Sequence, residues 1–164
     1  GRALHLSRRA GMRGFWDGLA STLLVLWVGG AWTTGYLAAP TLFGELSGNR
    51  QLAGNLAGVL FERMAWIGIV AGVYLLLHRF ARSGFATLRT GFFWLVVAML
   101  ALTLVGQFGV QPVLQGLKDQ ALPRAVMESV FADRFRTWHG VSSILYLVNS
   151  LLALALIWRS GVAK

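Results

Sequence analysis

The sequence predicts an all-α membrane protein: four transmembrane helices in one bundle, both termini cytoplasmic, and an amphipathic outer-surface helix between helices three and four. Two observations carry this. Of the 164 residues 56% are hydrophobic and 13% charged, with a mean hydropathy of +0.62, more apolar than a soluble domain of this length. Apolar runs also recur four times, each near the ~20 residues that a helix needs to cross ~30 Å of hydrocarbon. Transmembrane strands would require shorter segments of strict alternation, and the sequence has none.

The first run, Phe15 to Ala39, ends at Pro40 and follows a basic segment, residues 1–14. It is too long for a signal-peptide core and lacks a small-residue cleavage pattern, so it reads as a retained helix. Met12 followed by Arg13 makes a natural start, which casts residues 1–11 as an upstream extension. Within "WVGGAWTTGYLAAP", Gly29, Gly30, Thr33 and Gly35 put small side chains on adjoining faces, where a second helix can approach closely. Trp32 and Tyr36, just below Pro40, read as interfacial anchors.

The second run lies between about Gly58 and Leu77 inside a longer helical pattern. Its apolar core is short, so the span borrows from "GVLFER" and places Glu62 and Arg63 at the outer interface. Asn49 is a cap-type residue that starts this helix above the membrane. The third run extends from Gly91 to about Gln111. Gln107 and Gln111 stand one turn apart, and Pro112, lacking an amide proton, should stop or kink the helix.

The connection from Val113 to Trp138 is too long for a bare loop. After Pro123, Val126, Met127, Val130, Phe131, Phe135 and Trp138 recur at three- and four-residue spacing, which predicts an amphipathic helix feeding helix four. Helix four, His139 to Trp158, carries a polar stripe of His139, Ser142 or Ser143, Tyr146, and Asn149 or Ser150 on one face. Lipid cannot satisfy those groups, so the stripe must face protein or water. Residues 15–158 therefore form a single transmembrane domain, and residues 159–164 a cytoplasmic tail.

Nine Lys and Arg residues fall on the side of the termini and the second-to-third link, six on the other, so the former side should be cytoplasmic. The net charge of +9 flanks membrane segments rather than gathering on a soluble face, which argues against nucleic acid as a partner. With no Cys, disulfides, thiolate metal sites and cysteine nucleophiles are excluded. No zinc-type cluster, nucleotide loop or oriented Ser-His pair is present, so neither a metal, a cofactor nor an enzyme is expected.

The predicted ligand site is an outer-facing polar pocket of His139, Gln111, Gln107, Glu62, Ser142 and Tyr146. Gly29, Gly30, Thr33, Gly35, Pro40, Pro112 and Gly140 are predicted packing positions. His139 has four readings: a hydrogen-bonded residue pinning helix four, a ligand or ion contact, a metal ligand, or a catalytic group. His5 and His78 lie a bilayer away from it, so two-His haem ligation would need a partner subunit.

Together, "LWVGGAWTTGYLAAPTLF", "QFGVQP" and "WHGVSSILYLVNSLLALAL" resemble the bacterial domain of unknown function 4149 family, which is similar to transmembrane protein 205-like proteins. The resemblance covers about Met12 to Trp158. It implies a four-helix, multi-pass protein of the bacterial inner membrane, with signature positions at Trp27, Gly30, Pro40, Gln111, Pro112, His139, Gly140 and Ser142, and it supplies no reaction. The functional expectation is a membrane protein that binds a small ligand or ion or helps it across, as a homo-oligomer. One alternative is an accessory subunit of a larger membrane complex, and another is a metal- or haem-dependent redox or metal-resistance protein.

Overall fold

A computed structural model of the protein describes residues 2–161. Lys164, which the charge count above includes, lies outside the described residues. The helices are α1 (Arg2–Thr33), α2 (Ala39–Glu45), α3 (Arg50–Ser83), α4 (Gly91–Val105), α5 (Gln111–Ala121) and α6 (Ala132–Ser160). They make four spans long and apolar enough to cross a membrane: Arg2–Glu45, Arg50–Arg89, Gly91–Ala121 and Ala132–Ser160. The protein is a multi-pass membrane protein built as an all-α bundle. Consecutive spans pack side by side and the fourth closes back on the first, so the helices stand in a ring. The middle of α1, the end of α3, the start of α4 and the end of α6 meet at one end of the bundle, called here the terminal end.

The cap signals act as their chemistry predicts. The Asn49 side chain accepts from the Leu52 amide at 3.0 Å and opens α3, and the Thr90 hydroxyl accepts from Phe93 at 3.3 Å and opens α4. Gly84 closes the second span with φ of 55°, a backbone conformation that side chains disfavour.

Two sequence expectations need correction. Neither Pro40 nor Pro112 ends its helix. Each sits at the second position of a renewed α segment, behind a five-residue π-turn, Thr34–Ala38 or Gly106–Val110. In those turns the Ala39 amide bonds to the Thr34 carbonyl and the Gln111 amide to the Gly106 carbonyl, one residue further back than in an α-helix. The widened turn makes room for the proline ring against the carbonyl it would otherwise strike, and the chain axis continues. The amphipathic element is consequently α5, at the end of the third span and before Pro123 rather than after it. Leu114, Leu117 and Ala121 bury one face of α5, whereas the segment after Pro123 holds only a short turn at Val126–Glu128 and leaves Val130 92% exposed.

The core is a column in which one large side chain is matched to small ones. Trp27 is 2% exposed and lies on Gly68 and Gly72 of α3. Leu24, Leu75, Phe92, Val96, Met99, Ala153 and Leu156 fill the space around it. A Cβ at Gly68 would stand 2.6 Å from the Trp27 indole nitrogen, and the enclosed indole has no room to retreat. Gly68→Ala should therefore lower stability by about 1–3 kcal/mol, the usual cost of overpacking. Gly29→Ala, at a position with nothing within 4 Å, should leave the thermal midpoint in detergent unchanged. Equal midpoints for the two variants would refute this packing.

Candidate functional site

Asp17 lies two residues inside the first apolar run, and all five other acidic residues lie toward the far end of the bundle. Its position on α1 is about as far before the Leu46–Asn49 link as His78 is after it, so the antiparallel hairpin brings the two level. The Asp17 Oδ1 atom is 2.8 Å from His78 Nε2 and 2.5 Å from an Arg82 terminal nitrogen. The same Arg82 nitrogen donates to the Arg13 carbonyl at 3.1 Å. Tyr74, one turn before His78, stacks on the imidazole and donates its hydroxyl to the Trp16 carbonyl at 2.9 Å. The cluster thus ties α1 to α3 at three successive turns.

Exposure decides what this cluster contributes. The Asp17 side chain is 51% exposed and that of Arg82 32%, so solvent screens their attraction and the pair adds little to stability. The His78 side chain is only 14% exposed. It forms part of the wall of a cavity of about 330 Å³ with Asp17, Ser21, Leu75, Arg79, Phe92 and Ser160 among its lining. The Arg79 guanidinium carbon sits 4.0 Å above the Phe92 ring centre, a cation–π contact that fixes its place at that wall.

The polar stripe of α6 divides in two. Its deeper half meets α1 and α4 in a seam, where Ser150 is buried and Tyr146 and Asn149 are half-buried. Trp32 donates from Nε1 to the Ser150 carbonyl at 3.1 Å, Tyr36 donates to the Ser150 hydroxyl at 3.0 Å, and Tyr146 donates to the Ala31 carbonyl. Gly35 lies against the Tyr146 ring, too close for any Cβ, and Gly30 lies against Met64 in the same way. Trp32 and Tyr36, expected as interfacial anchors, are therefore fasteners between the first and fourth spans. Asn149 donates to the Thr103 hydroxyl at 3.2 Å, while its own carbonyl oxygen is buried without a partner.

The outer half of the stripe lies nearer the surface. His139 and Glu62 are exposed, and Gln107, Gln111 and Ser142 are half-buried. Among the described residues none of these five side chains makes a hydrogen bond, and Glu62 pairs with neither His139 nor Arg63. The His139 ring meets Phe135, and its carbonyl accepts from Ser143 within α6. Of the predicted packing positions, Gly29 and Gly140 have open space beside them, and Thr33, Pro40 and Pro112 are exposed. Among the described residues no three His, Asp or Glu side chains gather as a metal-ligand set.

A family model described as "Domain of unknown function (DUF4149)" matches residues 22–123. The chain belongs to this family. The DUF4149 match takes in the latter part of the first span, the whole of the second and third, both π-turns with their prolines, and His78 and Arg82. It stops short of Asp17 and of the α6 stripe. Comparisons with curated proteins and with solved structures give no match.

The seam generates a paired test. Ser150→Ala removes the hydroxyl that accepts from Tyr36 and should cost about 0.6 kcal/mol, the average for hydrogen bonds between membrane helices. Asn149→Leu removes a buried acceptor that has no donor and leaves Thr103 bonded to Met99, so stability should hold or rise. Unfolding midpoints in detergent measure both, and a marked loss in Asn149→Leu would contradict the arrangement of the seam.

Proposed function

We propose that this membrane protein binds a small anion in the cavity at the terminal end of its bundle. The observation that carries the reading is the charge balance there. Asp17, the one carboxylate at that end among the described residues, is shared between His78 and Arg82, which leaves the Arg79 guanidinium at the cavity wall unneutralised. The volume, about 330 Å³, suits a small molecule, and apolar walls of Leu24, Leu75 and Phe92 strengthen any charge interaction made inside. Beneath the cavity Val96, Met99 and Leu156 are fully packed. That layer favours a binding site over an open channel, and transport would need a rearrangement or an oligomer. The excess of basic residues at this end supports a cytoplasmic orientation and, with the family, residence in a bacterial inner membrane.

A second reading, a subunit of a larger membrane assembly, draws on the far end. Glu62 and Arg63 lie within an apolar span yet are exposed and make no hydrogen bond or ion pair among the described residues, where membrane-embedded charges ordinarily face protein.

Titration of the detergent-purified protein with small inorganic and carboxylate anions, followed by thermal shift, tests the first reading. At least one anion should raise the midpoint, with matched cation series inert. Arg79→Gln, which removes a charged donor, should weaken that anion roughly tenfold or more. An unchanged affinity in Arg79→Gln would sink the assignment, and a stoichiometric second protein in native membrane extracts would move the weight to the assembly reading.

A further inference from the structure

On the opposite side of the Asp17 cluster, a second recess of about 450 Å³ opens between α1 and α3, lined by Arg13, Trp16, Tyr74, His78, Ala81 and Arg82. We infer that this cleft holds the headgroup of an anionic phospholipid, with the acyl chains lying along the outer face of the hairpin below it. The inference goes beyond the anion cavity and stands without it.

Three observations converge. The first is level. Trp16 and Tyr74 sit near where the first apolar run begins and the second ends, with Arg13 about one turn beyond Trp16 and Arg82 about two turns beyond Tyr74, which is the depth of phosphate headgroups. The second is charge. Arg82 spends one terminal nitrogen on Asp17 and the Arg13 carbonyl, which leaves its remaining donors for another acceptor. The Arg13 guanidinium makes no hydrogen bond or ion pair among the described residues. Two guanidiniums flank the recess, and a phosphate diester offers the oxygens that such forks recognise. The Tyr74 hydroxyl is already committed to the Trp16 carbonyl, and the aromatic pair walls the recess.

The third observation separates a lipid from a free phosphate. From Ala81 toward the membrane centre, Leu77, Val73 and Val70 follow at three- and four-residue spacing, and all three are exposed. On α1, Leu19 and Leu23 continue the line below Trp16 and are only half-buried. A charged recess thus leads directly into an apolar strip on the lipid-facing surface. A soluble phosphate has no use for that strip, whereas a phospholipid occupies both parts. Basic recesses between transmembrane helices at the headgroup level are established places for anionic lipids.

The test uses the full chain in zwitterionic detergent, with native mass spectrometry counting bound lipid. Phosphatidylglycerol should bind as a discrete adduct, and phosphatidylcholine with the same acyl chains should not. Arg13→Gln should weaken the phosphatidylglycerol adduct about five-fold, the effect of one basic residue near a charged surface. Arg8→Gln, on the exposed arm outside the cleft, should leave it unchanged. Equal binding of the two lipids, an unaltered adduct in Arg13→Gln, or an equal loss in Arg8→Gln would overturn the inference, the last by reducing it to general attraction to a basic arm. Displacement of the lipid by equimolar inorganic phosphate would also overturn it, because the occupant would then be the free anion. Arg79→Gln, on the far side of the cluster, should retain the lipid, so the anion cavity and the lipid cleft fail independently.

Discussion

A bilayer offers no hydrogen bonds, and the rest of this structure follows from that. Every backbone group within the hydrocarbon must be answered inside the chain, so four helices cross it and each proline must be accommodated within a continuing helix. The π-turns before Pro40 and Pro112 are that accommodation: a bond to the residue five back keeps the ladder going where a proline interrupts it. The same rule governs side chains. Ser150, Tyr146 and Asn149 can sit in the membrane because Trp32, Tyr36, the Ala31 carbonyl and Thr103 meet them there.

Packing between the helices has a different origin. Apolar side chains gain little from leaving lipid for protein, so close fit takes the place of the hydrophobic drive. Trp27 on Gly68 and Gly72, Met64 on Gly30 and Tyr146 on Gly35 are three instances of a large group seated on a residue without a side chain. They link the first span to the second in two cases and to the fourth in the third. This pattern explains why Gly29 and Gly140, equally small and in equally suggestive sequence, take no part: a packing glycine is defined by the large residue opposite, and that residue lies on another helix.

Much of the fold was legible because it depends on local composition. Run lengths located the four spans, and Asn49 announced the start of α3. The continuation through Pro40 and Pro112 was not legible, since a π-turn leaves no residue signature that separates it from a helix end. The amphipathic pattern after Pro123 was a true periodicity of which only Phe135 and Trp138 fall in an α-helix, the start of α6, and α5, which does present a buried face, was hidden behind the expectation that the helix stops or kinks at Pro112. The stripe on α6 was read correctly as a face, yet only its deeper half meets protein. For the candidate site the sequence held one usable signal, an aspartate inside an apolar run. Its partners lie 61 and 65 residues away, and only the level pairing of an antiparallel hairpin identifies them.

His78 and Arg82 line both the open recess at the terminal end of the bundle and the cleft between α1 and α3. A group that walls two recesses cannot be tuned for one in isolation. Arg82 reaches Asp17 with the same nitrogen that reaches the Arg13 carbonyl, so any acceptor that draws its guanidinium outward weakens its hold on the carboxylate. Asp17 would then rest on His78 alone, and the charge facing the cavity would become less positive. An anion bound in the cavity and a phosphate bound in the cleft would each act on the same carboxylate, and linkage between two such sites would be reciprocal. The modest exposure-screened strength of the pair is what permits it: a fully buried ion pair would hold Arg82 too firmly to respond.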